Sequence, residues 1–330
     1  MKAVLYTGQP NKVSIEEVEK PIINEDEALV RVKYIGICGA DIELIKGNRN
    51  IKIPVIPGHE IVGTVEEVPE KNNELIGKRV AIEPTISCGI CQTCKIELPH
   101  ICNNLKVLGV HCNGGAAEYV KAPLNKIHLI PDSLSDEQSA LIEPVSVGIH
   151  VVKTSKIQFG DNVLIIGSGP IGLLVAQVCK FAGAKKISIM EINDFRKEIC
   201  KNMGFEVLEN EKNIENIDYR YDIGYEVSGS EAGIQKLMEM VRPGGKIIIV
   251  GLFKNPIPLQ LSSVLFKELE IKGSRVYSSM DFKLAIELLD KGMINTKLLL
   301  TNIVKLEDFA YGVELASKKE AMKVIVDAWK

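Results

Sequence analysis

Four of the eight cysteines crowd into fifteen residues: Cys88, Cys91, Cys94 and Cys102, spaced C-x2-C-x2-C-x7-C. Four thiolates on so short a loop can surround one zinc ion tetrahedrally, with Zn–S near ~2.3 Å and no open position, which makes a structural site. An iron–sulfur run begins with the same C-x2-C-x2-C but continues x3-C-P. Here seven residues intervene before the fourth cysteine and Asn103 follows it, so the spacing favours zinc over iron–sulfur and over inert buried thiols. Cys112, Cys179 and Cys200 stand apart, and two of them fall on helical stretches as core residues do.

A second group is scattered along the chain. Cys38 lies in GICGAD, His59 and Glu60 in PGHE, and Glu143 in ALIEPVSVGIH. Singly, each has an ordinary explanation as a buried thiol, a satisfied imidazole or a surface carboxylate. Together, one thiolate, one imidazole and one carboxylate make a three-ligand metal site with a position open to water or substrate. Asp41, three residues after Cys38, is placed to accept a hydrogen bond from His59 and orient it. His150 reads as packing, and His100, His111 and His128 have no partner identifiable from sequence.

Gly167-Ser168-Gly169-Pro170-Ile171-Gly172 fits G-x-G-x-x-G directly after the apolar run NVLII and at the start of a helical pattern. The first glycine permits the tight turn, the second lets the backbone approach a pyrophosphate, and the third lets helix and strand pack closely. The helix N-terminus favours the negative charge. Alone the motif is weak, but Glu191 follows twenty-four residues after the first glycine, at the end of the next strand. A carboxylate there binds both hydroxyls of an adenosine ribose and repels a 2′-phosphate, favouring NAD over NADP. Arg196 is either a neighbour of that ribose or a solvated helix residue.

The elements that must position these groups fall into two textures. Before residue 150, short period-two runs separated by Gly, Pro and Asn predict strands: AVLY (3–6), ALVRVKYIGI (28–37), EIVGTVEEV (60–68) and KRVAIEP (78–84). This half reads as a β-rich, barrel-like module. After it, strand and helix patterns alternate as in a parallel, doubly wound sheet. The strands are NVLIIG, KISIMEI, YDIGYEVSG, KIIIVGLF and ELEIKGSRVY; the helices are PIGLLVAQVCKFAGA, NDFRKEICKNMG and EAGIQKLMEMVRPGG. Helical DFKLAIELLDKG, a linker, helical LEDFAYGVELASKK and a strand MKVIVDAW close the chain. No internal repeat or low-complexity tract interrupts this order.

At 330 residues with 46% hydrophobic and 25% charged residues, the chain is an ordinary globular protein of two modules rather than a disordered, collagen-like or miniature scaffold. Forty basic against forty-three acidic residues give a net charge of −3, so neither nucleic acid nor an anionic membrane is an expected partner. The uncharged stretch 162–179 approaches membrane-spanning length, but its central glycines and Pro170 fit the dinucleotide turn instead. The opening MKAVLYTGQPNKV has no secretory pattern, and a cytoplasmic location is expected, where eight cysteines are not a disulfide framework.

The segments GICGAD, PGHE, SCGICQTC, VLGVHCNGGAAEY, ALIEPVSVGIH, GSGPIG and the closing KVIV together resemble the zinc-dependent medium-chain dehydrogenase/reductase family. The likeness is greatest to its sorbitol (polyol) and sugar-acid dehydrogenase branch and spans essentially the whole chain. It implies an α/β protein with a GroES-like catalytic domain at 1–148, including a structural-zinc lobe at about 84–105. A Rossmann NAD-binding domain at 149–277 follows, and 278–330 completes the catalytic domain. By motif, Cys38 and His59 are implied zinc ligands, Glu60 a direct or exchangeable one, and Glu143 bound directly or through water. Cys88, Cys91, Cys94 and Cys102 match the structural-zinc lobe, giving two zinc ions per chain. Ile171, Glu191 and Arg196 match positions that contact NAD. Val250, Gly251 and Leu252, and Arg275, Val276 and Tyr277 with the family's Arg-Tyr pair spaced differently, match contacts near the nicotinamide. A homotetramer or homodimer is implied by analogy.

Two departures bear on the chemistry. Where the family usually has Ser or Thr two residues after the catalytic cysteine, this chain has Ala40, and Glu43 replaces a histidine often found three residues later. Leu44 stands where polyol dehydrogenases often place a pocket tyrosine. The expected reaction is oxidation of a secondary alcohol of a polyol, sugar or sugar acid by NAD, with the proton leaving through water and Glu60 or Glu143. The rivals are a catalytically impaired NAD- and zinc-binding protein, a zinc-free NADPH quinone or enone reductase, and an iron–sulfur electron carrier.

Overall fold

A computed structural model describes residues 1–49, 51–208 and 221–330. The described chain forms two compact units, one of Met1–Glu143, Ser278–Gly292 and Leu299–Lys330, the other of Pro144–Tyr277 and Met293–Leu298. The division at Glu143 falls within the first turn of the helix Ile142–Ser155, a few residues before the boundary expected at 148. Met293–Leu298 packs with the second unit, where the Asn295 N–H donates to Gln177 Oε1 at 2.7 Å.

The first unit is built on a seven-stranded sheet. Its central strand, Glu27–Gly36, pairs antiparallel with Glu60–Glu67, Tyr119–Pro123 and Lys323–Asp327. Val30 and Val32 face the core and Arg31 faces solvent, as period-two patterning predicts, but Leu29 is buried as well because that end of the strand is covered on both faces. The register sets Gly36 opposite both Glu60 and Ile325, which brings residues from three distant parts of the sequence to one point. One correction applies to the tail. The stretch expected as linker contains the strand Leu300–Lys305, which pairs parallel with Lys323–Asp327. That last strand lies inside the sheet, between Leu300–Lys305 and Glu27–Gly36.

The second unit holds a six-stranded sheet, all parallel. In chain order its strands are Asn162–Ile166, Lys186–Met190, Glu206–Val207, Tyr221–Glu226, Val241–Ile249 and Glu270–Gly273, and in space they run third, second, first, fourth, fifth, sixth. This is the doubly wound dinucleotide-binding order, and its direction reverses between Asn162–Ile166 and Tyr221–Glu226. Ligands bind such sheets at the carboxyl ends of the strands beside that reversal. One boundary differs from expectation: the helix Glu231–Met240 stops before Arg242-Pro243-Gly244-Gly245, which belongs to the following strand. A residue before proline avoids the helical region, and proline has no N–H to donate into a helix. Residues 162–179 split into a strand and the helix Pro170–Phe181; among the described residues no helix is long and apolar enough to cross a membrane.

Candidate active site

In the first unit the structure gathers Cys38, His59 and Glu60, with their potential ligand atoms within 4.8 Å of one another. Cys38 is the N-cap of the short helix Gly39–Ile45, and Asp41, at the third position of that helix, accepts the Cys38 N–H at 2.8 Å. The other carboxylate oxygen of Asp41 accepts the Gly58 N–H at 3.2 Å and lies 3.5 Å from His59 Nδ1. Asp41 therefore ties the two loops bearing Cys38 and His59 to each other. Burial alone would raise its pKa, but His59 and the two N–H groups hold it below the ordinary carboxylate value. Burial likewise disfavours the imidazolium of His59, yet the facing Asp41 and Cys38 raise its pKa well above the usual value.

Glu60 occupies space that only glycine at position 36 leaves open: a Cβ on Gly36 would lie 1.8 Å from Glu60 Oε2. Its carboxylate forms a buried ion pair with Lys323, whose Nζ also donates to the Ile37 carbonyl at 3.1 Å. Burial opposes the charge on Lys323, and the carboxylate overrides it, raising its pKa. Glu143, in the first turn of Ile142–Ser155, is nearly buried and is close enough to act electrostatically on Lys323, but it lies outside the three-residue cluster. One thiol, one imidazole and one buried carboxylate are a donor set that zinc accepts with an open position, so the residues fit the ion.

The departures also have places. Glu43 accepts from Asn48 Nδ2 at 2.7 Å. Leu44 is completely buried in the hydrophobic core, so it is not a pocket residue.

Cys88, Cys91, Cys94 and Cys102 form the second cluster, also within 4.8 Å, and all eight cysteines are free thiols. Sulfur separations of 3.4 Å (Cys91–Cys94), 3.4 Å (Cys88–Cys102) and 3.7 Å (Cys91–Cys102) approach the edge of about 3.8 Å of a tetrahedron with ~2.3 Å Zn–S bonds. The Thr93 hydroxyl, followed by the N–H groups of Cys94 and Asn103, lowers Cys91 to about 5. Burial and its neighbouring cysteines push Cys94 up to about 12. The four thiols thus fit one closed zinc site.

In the second unit the glycine-rich turn joins Asn162–Ile166 to the helix Pro170–Phe181, with Gly169 at the N-cap and Pro170 in the first turn. Gly167 has φ +93°, and a Cβ on Gly172 would lie 2.0 Å from the Gly167 carbonyl oxygen, so turn and packing both need glycine. Ile171 follows Pro170 on the first turn of this helix. Glu191, just past Lys186–Met190, turns back to this loop: Oε2 accepts the Ser168 N–H at 2.8 Å and its hydroxyl at 3.0 Å. Oε1 accepts the N–H groups of Ile192 and Asn193, each at 2.9 Å. Burial works against the carboxylate, but these donors lower its pKa.

The Arg196 guanidinium lies over Gly169, 3.4 Å from where a Cβ would stand, and its buried Nε has no hydrogen-bond partner. Beside Glu191 opens a groove of about 1060 Å³ lined also by Ile192, Lys197, Lys201 and Lys236. Val250, Gly251 and Leu252 leave the carboxyl end of Val241–Ile249, where the Ser274 N–H also bonds the Ile249 carbonyl. Arg275 is exposed, Val276 has φ +56° and Tyr277 is buried. The glycine turn, Glu191 and Arg196 are thus together, a cradle that fits a dinucleotide pyrophosphate and ribose.

Sequence reasoning passed over Lys323, Gly36, Glu83 and Glu226. Only the strand register reveals the first two, and the last two are buried carboxylates in runs that read simply as strand.

The chain matches the alcohol dehydrogenase GroES-like domain over residues 24–132 and the zinc-binding dehydrogenase domain over residues 170–291. It is 36% identical to a sorbitol dehydrogenase of Bacillus subtilis (strain 168), covering 99% of this chain and 97% of that one. It is 33% identical to a 2-dehydro-3-deoxy-L-galactonate 5-dehydrogenase of Pseudoalteromonas atlantica, over 99% and 98% of the two chains. Among solved structures, the alcohol dehydrogenase rspB of E. coli CFT073, complexed with NADH, superposes with a TM-score of 0.93 at 30% identity, covering 99% of each chain. The chain belongs to the zinc-dependent medium-chain dehydrogenase/reductase family, in its polyol and sugar-acid dehydrogenase branch.

Proposed function

We propose that this protein oxidises a secondary alcohol of a polyol, sugar or sugar acid and passes the hydride to NAD. The observation that carries this is the Cys38–His59–Glu60 cluster with Asp41 fastened to both of its loops. A zinc-free reductase on the same scaffold would have no use for such a donor set. Bound there, zinc would supply Lewis-acid polarisation of the substrate oxygen, with NAD as the hydride acceptor. Cys38, His59 and Glu60 would hold that ion, with Glu143 a further candidate ligand, direct or through water. Cys88, Cys91, Cys94 and Cys102 would hold a second, structural ion.

Ala40 offers no hydroxyl to pass on the alcohol's proton. The proton then leaves through water and a carboxylate, with Glu60 and Glu143 as the candidates and Glu143 the one to be tested. The Glu143→Gln variant is expected to lose turnover and alter its pH profile; an unchanged rate and profile would end that assignment.

Gly167, Gly169, Pro170, Ile171 and Gly172 place the pyrophosphate, and Glu191 selects NAD over NADP by accepting from a ribose hydroxyl and repelling a 2′-phosphate. Arg196 covers the same end, and Val250–Leu252 with Arg275–Tyr277 border the nicotinamide. The protein works in the cytoplasm, where its free thiols stay reduced. Its assembly as a homo-oligomer, a tetramer or dimer, is carried over by analogy with the family.

The deciding experiment measures NAD and NADP reduction by zinc-loaded protein over a panel of polyols, sugars and sugar acids. Turnover with NAD of one or a few related substrates, lost in Cys38→Ser, supports the assignment. Silence across the panel with zinc and NAD both bound would instead favour an impaired binding protein.

A further inference from the structure

Glu226 carries a carboxylate that none of the steps above employs. It ends the strand Tyr221–Glu226, at the point where the sheet reverses direction, and is completely buried. Among the described residues no lysine, arginine or histidine pairs with it, and its partners belong to the loop that follows. Oε1 accepts the Ser228 N–H at 3.1 Å and the Ser228 hydroxyl at 2.5 Å, and Oε2 accepts the Gly229 N–H at 2.9 Å. Its own carbonyl accepts from Val250 and Gly251, at 2.8 and 2.9 Å. One residue therefore ties two separate loops at the carboxyl edge of the sheet.

Those loops touch backbone to backbone. A Cβ on Gly251 would lie 2.2 Å from the Gly229 nitrogen and 2.6 Å from Glu226 Oε2, and a Cβ on Gly229 would lie 2.6 Å from the Leu252 oxygen. The first glycine of the dinucleotide turn leans on the same junction: a Cβ there would lie 3.0 Å from that of Ser228. Ser230, whose hydroxyl is 2.7 Å from that of Ser228, caps the helix Glu231–Met240. Burying a carboxylate without a counter-cation is costly, so backbone donors must offset it, and hydrogen bonds to a charged acceptor are the strong kind. The result is a stiff junction of three segments around the glycine turn.

We propose that Glu226 is a positioning residue for the nicotinamide cofactor, fixing the 228–230 and 250–252 loops against the glycine-rich turn. This rests on Gly167–Gly172 and Val250–Leu252 being the cofactor site. Glutamine at 226 keeps the size but presents a donor where two backbone N–H groups and a hydroxyl require acceptors. A small displacement of loops that orient a reacting ring is enough to weaken binding and misalign transfer.

The test is titration of the zinc-loaded protein with NADH, together with initial rates against NAD. Glu226→Gln is expected to raise the NADH Kd and the KM for NAD about tenfold, and Ser228→Ala about threefold, since each loses hydrogen bonds to a charged group. Zinc content and the KM for the alcohol at saturating NAD should hold. A residue that only stabilised the fold would lower the active fraction, and so kcat, while leaving Kd and KM where they were. Kd and KM within about twofold of wild type in both variants overturn the proposal, and Ser228→Ala decides alone if the glutamine variant does not fold. Wild-type protein that binds neither NADH nor NADPH overturns the cofactor site itself, and the proposal with it.

Discussion

Lys323 and Glu60 form an ion pair close to Cys38, their side chains only 3% and 1% exposed. A buried pair is weak evidence of net stabilisation, but removing one partner strands the other charge. Lys323→Met is therefore expected to destabilise the first unit of the zinc-free protein by about 3–5 kcal/mol, measured by urea unfolding. The double variant with Glu60→Gln should recover much of that loss. Additive losses in the double variant would show that the two residues act separately.

The cysteine lobe has little else to hold it: a one-turn helix, Gln92–Lys95, and a two-stranded pair, Thr85–Ile86 with Lys106–Val107. Its order should depend on the ion. Cys94→Ser is expected to reduce zinc content by one ion per chain, and to open residues 84–105 to limited proteolysis while the rest of the chain resists. An unchanged zinc content in the variant, or an unchanged digestion pattern, would contradict a closed four-thiolate site.

How far the sequence carried depended on the range over which each feature is determined. The glycine turn and the cysteine lobe are local, so spacing alone marked their residues. Lys323 meets Glu60 across 263 residues, and nothing near either position signals the other. The strand Leu300–Lys305 was passed over for a related reason. Its run LTNIVK is only half-buried and is strand because Lys323–Asp327 lies beside it. Arg242–Gly245 went the other way: helical patterning continued past Met240, and the proline and two glycines ended it.

Glu191 accepts four hydrogen bonds, which uses about all the lone pairs a carboxylate has. Three come from backbone N–H groups, and only the Ser168 hydroxyl can turn away to admit a ribose hydroxyl. Glu191→Ala should raise the KM for NAD about 10- to 100-fold, from lost hydrogen bonds to a charged group, and narrow the gap to NADP. Ser168→Ala removes only the competitor and should leave the KM for NAD within about threefold. A larger rise in Ser168→Ala than in Glu191→Ala would reverse these roles.

Glu83 provides the pH dependence. Its buried carboxylate accepts from Lys126 Nζ at 2.5 Å, Ser279 Oγ at 2.9 Å and Thr85 Oγ1 at 3.0 Å, and lies 3.2 Å from His128 Nε2. Burial alone would raise its pKa, but His128, Lys126 and Ser279 bring it down from 4.5 to about 2. A folded pKa below the unfolded one means stability that is complete above pH 4.5 and lost as the pH falls towards 2. At about 1.4 kcal/mol per pKa unit this comes to about 3 kcal/mol. Glu83→Gln should thus lie well below wild type in unfolding free energy at pH 6, with the gap closing as the pH falls from 4.5 towards 2. Acid also releases zinc from thiolate and imidazole ligands, but it does so in both proteins and cancels in the difference. A gap that stays constant over that range would mean the carboxylate's charge is not what holds Lys126, His128 and Ser279 together.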